Sequence, residues 1–277
     1  MKEMTIMRRS LIVLSLSVAA TPVLAQPARP PASQPAAVRA LSLQRVLVQV
    51  PEPRRLKVAL FATPLSQGTS RAFTRARLLL AGQDIPLATP GVATDQPGNT
   101  LIHLEVDLGA LPESVLTLPA ENLTVRWEGV TDGGRTVVTV AGTIDPGDRS
   151  QLTLDQDNLH TLYARLDSPS VTPSGVMLTF RGLANILNPF SFEVVVKGLE
   201  YRVVVGGSEV MAAQRPGFRL RPGQRSDVLL EAEVPLASAA MAAASVLRGA
   251  AVEVIGQLRL STPDGDRFVP VMFRSGG

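Results

Sequence analysis

Apolar and polar residues alternate with a period of two through many short runs of this chain, and Pro-Gly, Gly-Gly and Asp-Gly pairs separate the runs. Successive side chains of a strand point to opposite faces, so each run buries one face and wets the other. Val228, Leu230, Ala232 and Val234 alternate with Glu231 and Glu233, and Val252, Val254, Gly256 and Leu258 alternate with Glu253, Gln257 and Arg259. Ile102, Leu104, Val106 and Leu108 oppose His103, Glu105 and Asp107, while Leu123, Val125 and Trp127 oppose Thr124, Arg126 and Glu128. One apolar face per strand predicts antiparallel sheets packed as sandwiches. Thr131-Asp132-Gly133-Gly134 and Pro263-Asp264-Gly265-Asp266 fit hairpin loops. Pro270 has no N–H to donate, which marks the last strand as an edge.

The pattern reads as two copies of one unit. In the first half, Thr63-Pro64-Leu65 follows a strand at Arg55–Phe61, Gly82 and Gln83 form a turn, and Pro97-Gly98 a loop. In the second, Asn188-Pro189-Phe190, Gly206-Gly207 and Pro222-Gly223 recur in that order, at an offset of roughly 125 residues, as in internal repeats. Val140-Ala141-Gly142 and Val254-Ile255-Gly256 pair at a shorter offset, which predicts extra residues in the first copy. A short helix is expected in the second copy at Ser238 to Arg248, with Ser238 as N-cap, an alanine-rich body and Gly249 as stop. The expected fold is all-β: two tandem antiparallel β-sandwich domains of the immunoglobulin or fibronectin type III kind, at 39–150 and 151–277.

Lys2, Arg8 and Arg9, the apolar run Leu11 to Ala20 and the small-residue site Val23-Leu24-Ala25 read as a signal peptide over 1–25. The expected location is the periplasm or the exterior, with no transmembrane segment after signal removal. A Pro/Ala-rich tether follows at 26–38. Without Lys2, Arg8, Arg9 and Glu3 the net charge falls from +3 to about +1, too little clustered positive charge for nucleic-acid binding. The chain has no cysteine, which excludes disulfides, thiol catalysis and thiolate metal sites.

Asn188-Pro189 is the more specific local motif. Proline interrupts a sheet ladder and biases the residue before it to an extended conformation. An Asn there can bond nearby backbone, so the pair predicts a crossover between sheets. The ordered landmarks from Leu183 to Leu236, with Asn188, Pro189, Phe190, Gly206, Gly207, Pro222 and Gly223 as structural motif, resemble the type 2 late embryogenesis abundant family, also called the water-stress and hypersensitive-response domain. The resemblance spans Leu162 to Phe273, and the first half is at best a degenerate copy. It implies a small β-sandwich associated with desiccation and stress tolerance, and no chemical mechanism.

No nucleophile elbow, zinc-protease motif, phosphate loop or dinucleotide fingerprint occurs, so no catalytic, cofactor or metal residue is assigned. His103 falls on the polar face of its strand. His160 lies near Asp155, Asp157 and Asn158, donors that suit a divalent cation but that a polar linker would also contain. Arg215, Arg219, Arg221 and Arg225 cluster in QRPGFRLRPGQR and form a candidate patch for an anionic partner, such as an envelope surface or an acidic protein. The leading expectation is an exported, non-enzymatic stress-protection protein. The alternatives are a cell-envelope adaptor that binds protein partners through sandwich edges or loops, and an enzyme or sugar-binding domain using its end loops. The last is weakened by having only Trp127, Tyr163 and Tyr201 as Trp and Tyr residues.

Overall fold

The alternation becomes two stacked-sheet units in a computed structural model, which describes residues 37–63, 70–131, 134, 136–235 and 250–274. The first unit contains β1 (Ala37–Glu52), β2 (Arg55–Ala62), β3 (Ser70–Ala72), β4 (Arg75–Leu80), β5 (Gln83–Ile85), β6 (Leu87–Gln96), β7 (Asn99–Asp107), β8 (Leu123–Val130), β9 (Thr136–Ile144) and β10 (Leu152–Leu154). Two 3-10 turns, Leu108–Ala110 and Glu113–Thr117, join β7 to β8. The second unit contains α1 (Gln156–Tyr163), β11 (Ala164–Ser174), β12 (Met177–Leu187), β13 (Val194–Val205), β14 (Ser208–Leu220), β15 (Arg225–Pro235), β16 (Val252–Thr262) and β17 (Gly265–Arg274). The fold is all-β and sandwich-like.

The second sandwich packs a sheet of order β11-β12-β15 on one of order β14-β13-β16-β17. Its core is a single cluster of inward residues, with Phe180, Phe273, Leu166 and Leu230 fully enclosed. Gly256 stands directly opposite Tyr201 on β13, and a Cβ there would lie 2.7 Å from the Glu200 carbonyl oxygen, so glycine is what lets the strands close around the tyrosine. β17 is an edge strand and carries Pro270, whose missing N–H removes no ladder bond on its open side.

The first sandwich repeats this pairing scheme with additions. β2 pairs β1 and β7, as β12 pairs β11 and β15; β4 pairs β5 and β8, as β13 pairs β14 and β16; β8 pairs β9, as β16 pairs β17. Its core centres on Trp127, fully buried and edge-on to Phe73 at 4.8 Å between ring centroids. Gly129 leaves room for that indole: a Cβ there would sit 2.2 Å from the ring.

Three expectations need correction. By pairing, β9 corresponds to β17 and not to β16, so Val140-Ala141-Gly142 is not the counterpart of Val254-Ile255-Gly256. Period-two runs align with one another at any even shift, which made the wrong pairing look acceptable. The separation of β8 from β16 equals that of β9 from β17, so the first copy has no extra residues there. Second, the first sandwich is not purely antiparallel. The N-terminal part of β1 pairs parallel with β9, from Ala37↔Thr136 to Ser42↔Ala141; its later part pairs antiparallel with β2, and β10 adds parallel beside it. At sixteen residues β1 is long enough to serve both layers, and its irregularity between Leu43 and Arg45 lets it pass from one to the other. Third, the segment after Ser150 is not a bare linker: β10 keeps the chain with the first sandwich through Leu154, and α1 begins immediately after. The helix expected at Ser238 to Arg248 lies outside the described residues.

Candidate functional site

The crossover from β12 to β13 is built on one buried amide. Asn188 is 1% exposed. Its Nδ2 donates to the carbonyl oxygens of Phe192 at 2.8 Å and Leu220 at 3.0 Å, and its Oδ1 accepts from the Phe190 N–H at 3.0 Å. Two carbonyls on one side and one N–H on the other leave only this orientation of the amide. The Asn188 N–H donates to Gln224 O, and the Gly223 N–H donates to Phe190 O, both at 3.0 Å. The Asn-Pro-Phe segment and the Pro222-Gly223 turn are therefore one hydrogen-bonded unit joining the two sheets. Gly223 has φ +63° there. Gly206 and Gly207, with φ +57° and +83°, form the two-residue turn between β13 and β14, a left-handed conformation that glycine adopts freely. The Phe190 ring stacks on Phe192 and packs against both hydrophobic cores.

The four arginines differ in their partners. Arg225 donates to Asn185 Oδ1 at 2.6 Å and to Leu162 O at 2.9 Å, and Asn185 donates in turn to Asp227 at 2.7 Å. Arg219 pairs with Glu193 at 2.8 Å. Arg215 is half-buried, and its Nε has no partner among the described residues. Arg221 is exposed at the β14–β15 turn, and no hydrogen bond or ion pair of its side chain occurs among the described residues. The Asn185–Arg225–Leu162 link, which ties β12, β15 and α1 together, carries no spacing signal in the sequence.

His103 is exposed on β7, beside Lys57 and Glu105, in a groove of about 660 Å3 on the outer face of the first sandwich. Asp155 caps α1: it accepts from the Asn158 amide at 2.7 Å, and that bond, with two backbone N–H bonds, holds its carboxyl below the usual value. Asp155 and Asn158 are thus committed to each other, and no cluster of three His, Asp or Glu side chains gathers around His160 or elsewhere among the described residues. Burial pushes the Tyr163 hydroxyl up to about 12, and raises that of Tyr201, which donates to Glu231 O at 2.5 Å.

Two further concavities stand out. A groove of about 580 Å3 runs over the outer face of the four-stranded sheet, lined by Glu200, Arg202, Ala212, Gln214, Ile255 and Gln257 among others. The other is an apolar cavity of about 290 Å3 inside the first sandwich, between the β1-β2-β7 layer and the β4-β5-β8-β9 layer, with the 3-10 turns and β10 around it. Every one of its lining residues among those described is Val, Leu or Ile. Left void, it would forgo packing worth up to about 7 kcal/mol at roughly 24 cal/mol per Å3, an upper bound because its mouth is open. Alternation identifies these residues as core; the gap between them depends on how far the layers stand apart, which alternation does not encode.

The structure defines an all-β, sandwich-like protein. No family model matches the chain, and no curated protein matches its sequence. Solved structures similar to it include a protein from Archaeoglobus fulgidus, 13% identical with a TM-score of 0.30, covering 40% of this chain and 94% of that one. A second, from Arabidopsis thaliana, is 14% identical with a TM-score of 0.34, covering 40% and 78%. A third, a DUF4785 family protein from Legionella pneumophila, is 14% identical with a TM-score of 0.33, covering 79% of this chain and 51% of that one. At these scores the likenesses carry no argument about activity. No helix among the described residues is long and apolar enough to cross a membrane.

Proposed function

We propose that this is an exported, non-catalytic stress-protection protein of the type 2 late embryogenesis abundant kind. The observation that supports the reading is the crossover: Asn188, Phe190 and Gly223, the landmarks that carry the resemblance, are bonded into one unit and are not merely spaced alike along the chain. A folded sandwich with a continuous core presents a fixed surface to a client during water loss, unlike a hydrophilic disordered chain. The test is the residual activity of a drying-sensitive enzyme after dehydration with Gln26–Gly277, beside equal masses of albumin and an unrelated β-sandwich. Protection well above both controls is expected. Protection equal to theirs refutes a direct protective role.

One observation favours a second reading, an envelope adaptor. Among the described residues β17 is an edge strand that exposes Phe268 and Val269, and Phe268 lines a hollow with Gln257 and Arg259, so a partner strand has both an open ladder and apolar contacts to use. Crosslinking in the native envelope that recovers a specific partner through β17 would establish this reading over the first.

A further inference from the structure

We infer that the first sandwich binds the alkyl chain of an uncharged, hydroxyl-bearing amphiphile in its apolar cavity. This goes beyond the protective reading and does not rest on it. The cavity lies between two layers of one core, and no polar side chain among the described residues lines it, so a polar ligand would be desolvated there with no hydrogen bond from those walls in return. A hydrocarbon suffers no such penalty. The lining residues differ in exposure: Leu60, Leu78 and Ile144 are fully buried, Leu56 and Val115 are partly buried, and Leu154 is 40% exposed. An exposed leucine among the lining residues gives a chain an end-on way into the cavity.

Size and polarity narrow the ligand further. An apolar cavity of about 150 Å3 is enough to hold benzene, so this one has room for roughly ten to twelve carbons. Gln83 stands on the same face of β5 as Ile85, which lines the cavity. Its Nε2 donates to Thr117 Oγ1 at 3.2 Å, and Thr117 Oγ1 donates to Ser114 O, which fixes the amide's orientation. Gln83 Oε1 is left buried with no hydrogen-bond partner among the described residues. An unpartnered acceptor favours a head that donates, a hydroxyl, over an ionised carboxylate.

The experiment titrates the full chain with 1-hexanol, 1-octanol, 1-decanol and 1-dodecanol by calorimetry, with decanoate at neutral pH for comparison. Affinity is expected to rise about fourfold per added methylene and to level off at ten to twelve carbons, with decanol bound more tightly than decanoate. Val115→Trp, which fills the mouth, should weaken decanol at least tenfold while the far-UV circular dichroism and melting temperature of the chain stay unchanged. If that variant fails to fold, Leu154→Trp at the exposed rim serves in its place. Saturable binding of decanoate at or above the affinity of decanol overturns the choice of head. Affinity that does not vary with chain length, absence of saturable binding, or undiminished binding by a folded mouth-filled variant overturns the proposal.

Discussion

Replacing Asn188 by alanine tests whether the crossover depends on one side chain. The substitution removes three hydrogen bonds at a position that is 1% exposed, and strands the carbonyls of Phe192 and Leu220 and the N–H of Phe190. A buried polar group left without a partner costs about 1–3 kcal/mol. The three groups share one site and relax together, so a total of about 4 kcal/mol is expected rather than the sum of the extremes. At about 2–4 °C per kcal/mol for a chain of this size, the melting temperature should fall by roughly 8–16 °C. Urea denaturation followed by far-UV circular dichroism measures the cost, while fluorescence of Trp127 reports separately on the first core. Asn188→Asp is the control for chemistry. It turns an acceptor toward two carbonyl oxygens, so at neutral pH it should cost at least as much as alanine, and less near pH 4, where the carboxyl gains a proton. A loss below about 1 kcal/mol for Asn188→Ala, with the slope of the transition unchanged, would refute the assignment of the crossover to this amide.

The remaining predictions concern charge and ionisation. Arg225→Ala should destabilise the chain by about 1–2 kcal/mol through lost bonds to Asn185 and the Leu162 carbonyl, whereas Arg221→Ala should stay within about 0.5 kcal/mol; equal effects in thermal melts would contradict the distinction drawn between them. Both tyrosines have folded-state pKa values raised by burial, so the unfolded chain releases these protons first. Stability should therefore hold up to about pH 10, the unfolded value, and fall as pH rises from there toward the Tyr163 value of about 12. Tyr163→Phe should remove part of that fall and cost little at neutral pH, since its hydroxyl is buried with no partner among the described residues. Denaturation midpoints between pH 8 and 11.5 check both statements.

The parts of this fold legible in the sequence are those that depend on period and turn chemistry. Ile102, Leu104 and Val106 face the core and His103 faces water because alternation admits no other arrangement once one face is buried. Gly206-Gly207 names its own turn. Pairing partners were less legible, since any period-two run can lie beside any other; the parallel union of β1 with β9 has no local signature. The helix α1 reads as a polar linker because its capping residues, Asp155 and Asn158, are those a linker would also contain. The Asn-Pro pair marks a break in the ladder, but that the amide reaches Leu220, thirty-two residues on, follows only from the packing of two sheets. The cavity is a property of spacing between layers and was invisible to a one-dimensional pattern.

The parallel contact of β1 with β9 has a mechanical consequence. Six residue pairs, Ala37↔Thr136 through Ser42↔Ala141, join the strand that enters the first sandwich to a strand whose far end leads out toward the second. Tension applied between the incoming chain and the outgoing one, which runs first through β10 and its own parallel pairing with β1, pulls these strands along their common axis in opposite senses. The bonds between them are then loaded together, in shear, and must fail nearly at once instead of opening singly from one end. A chain stretched between two attachment points would thus meet its greatest resistance at the point of entry, before either core is disturbed.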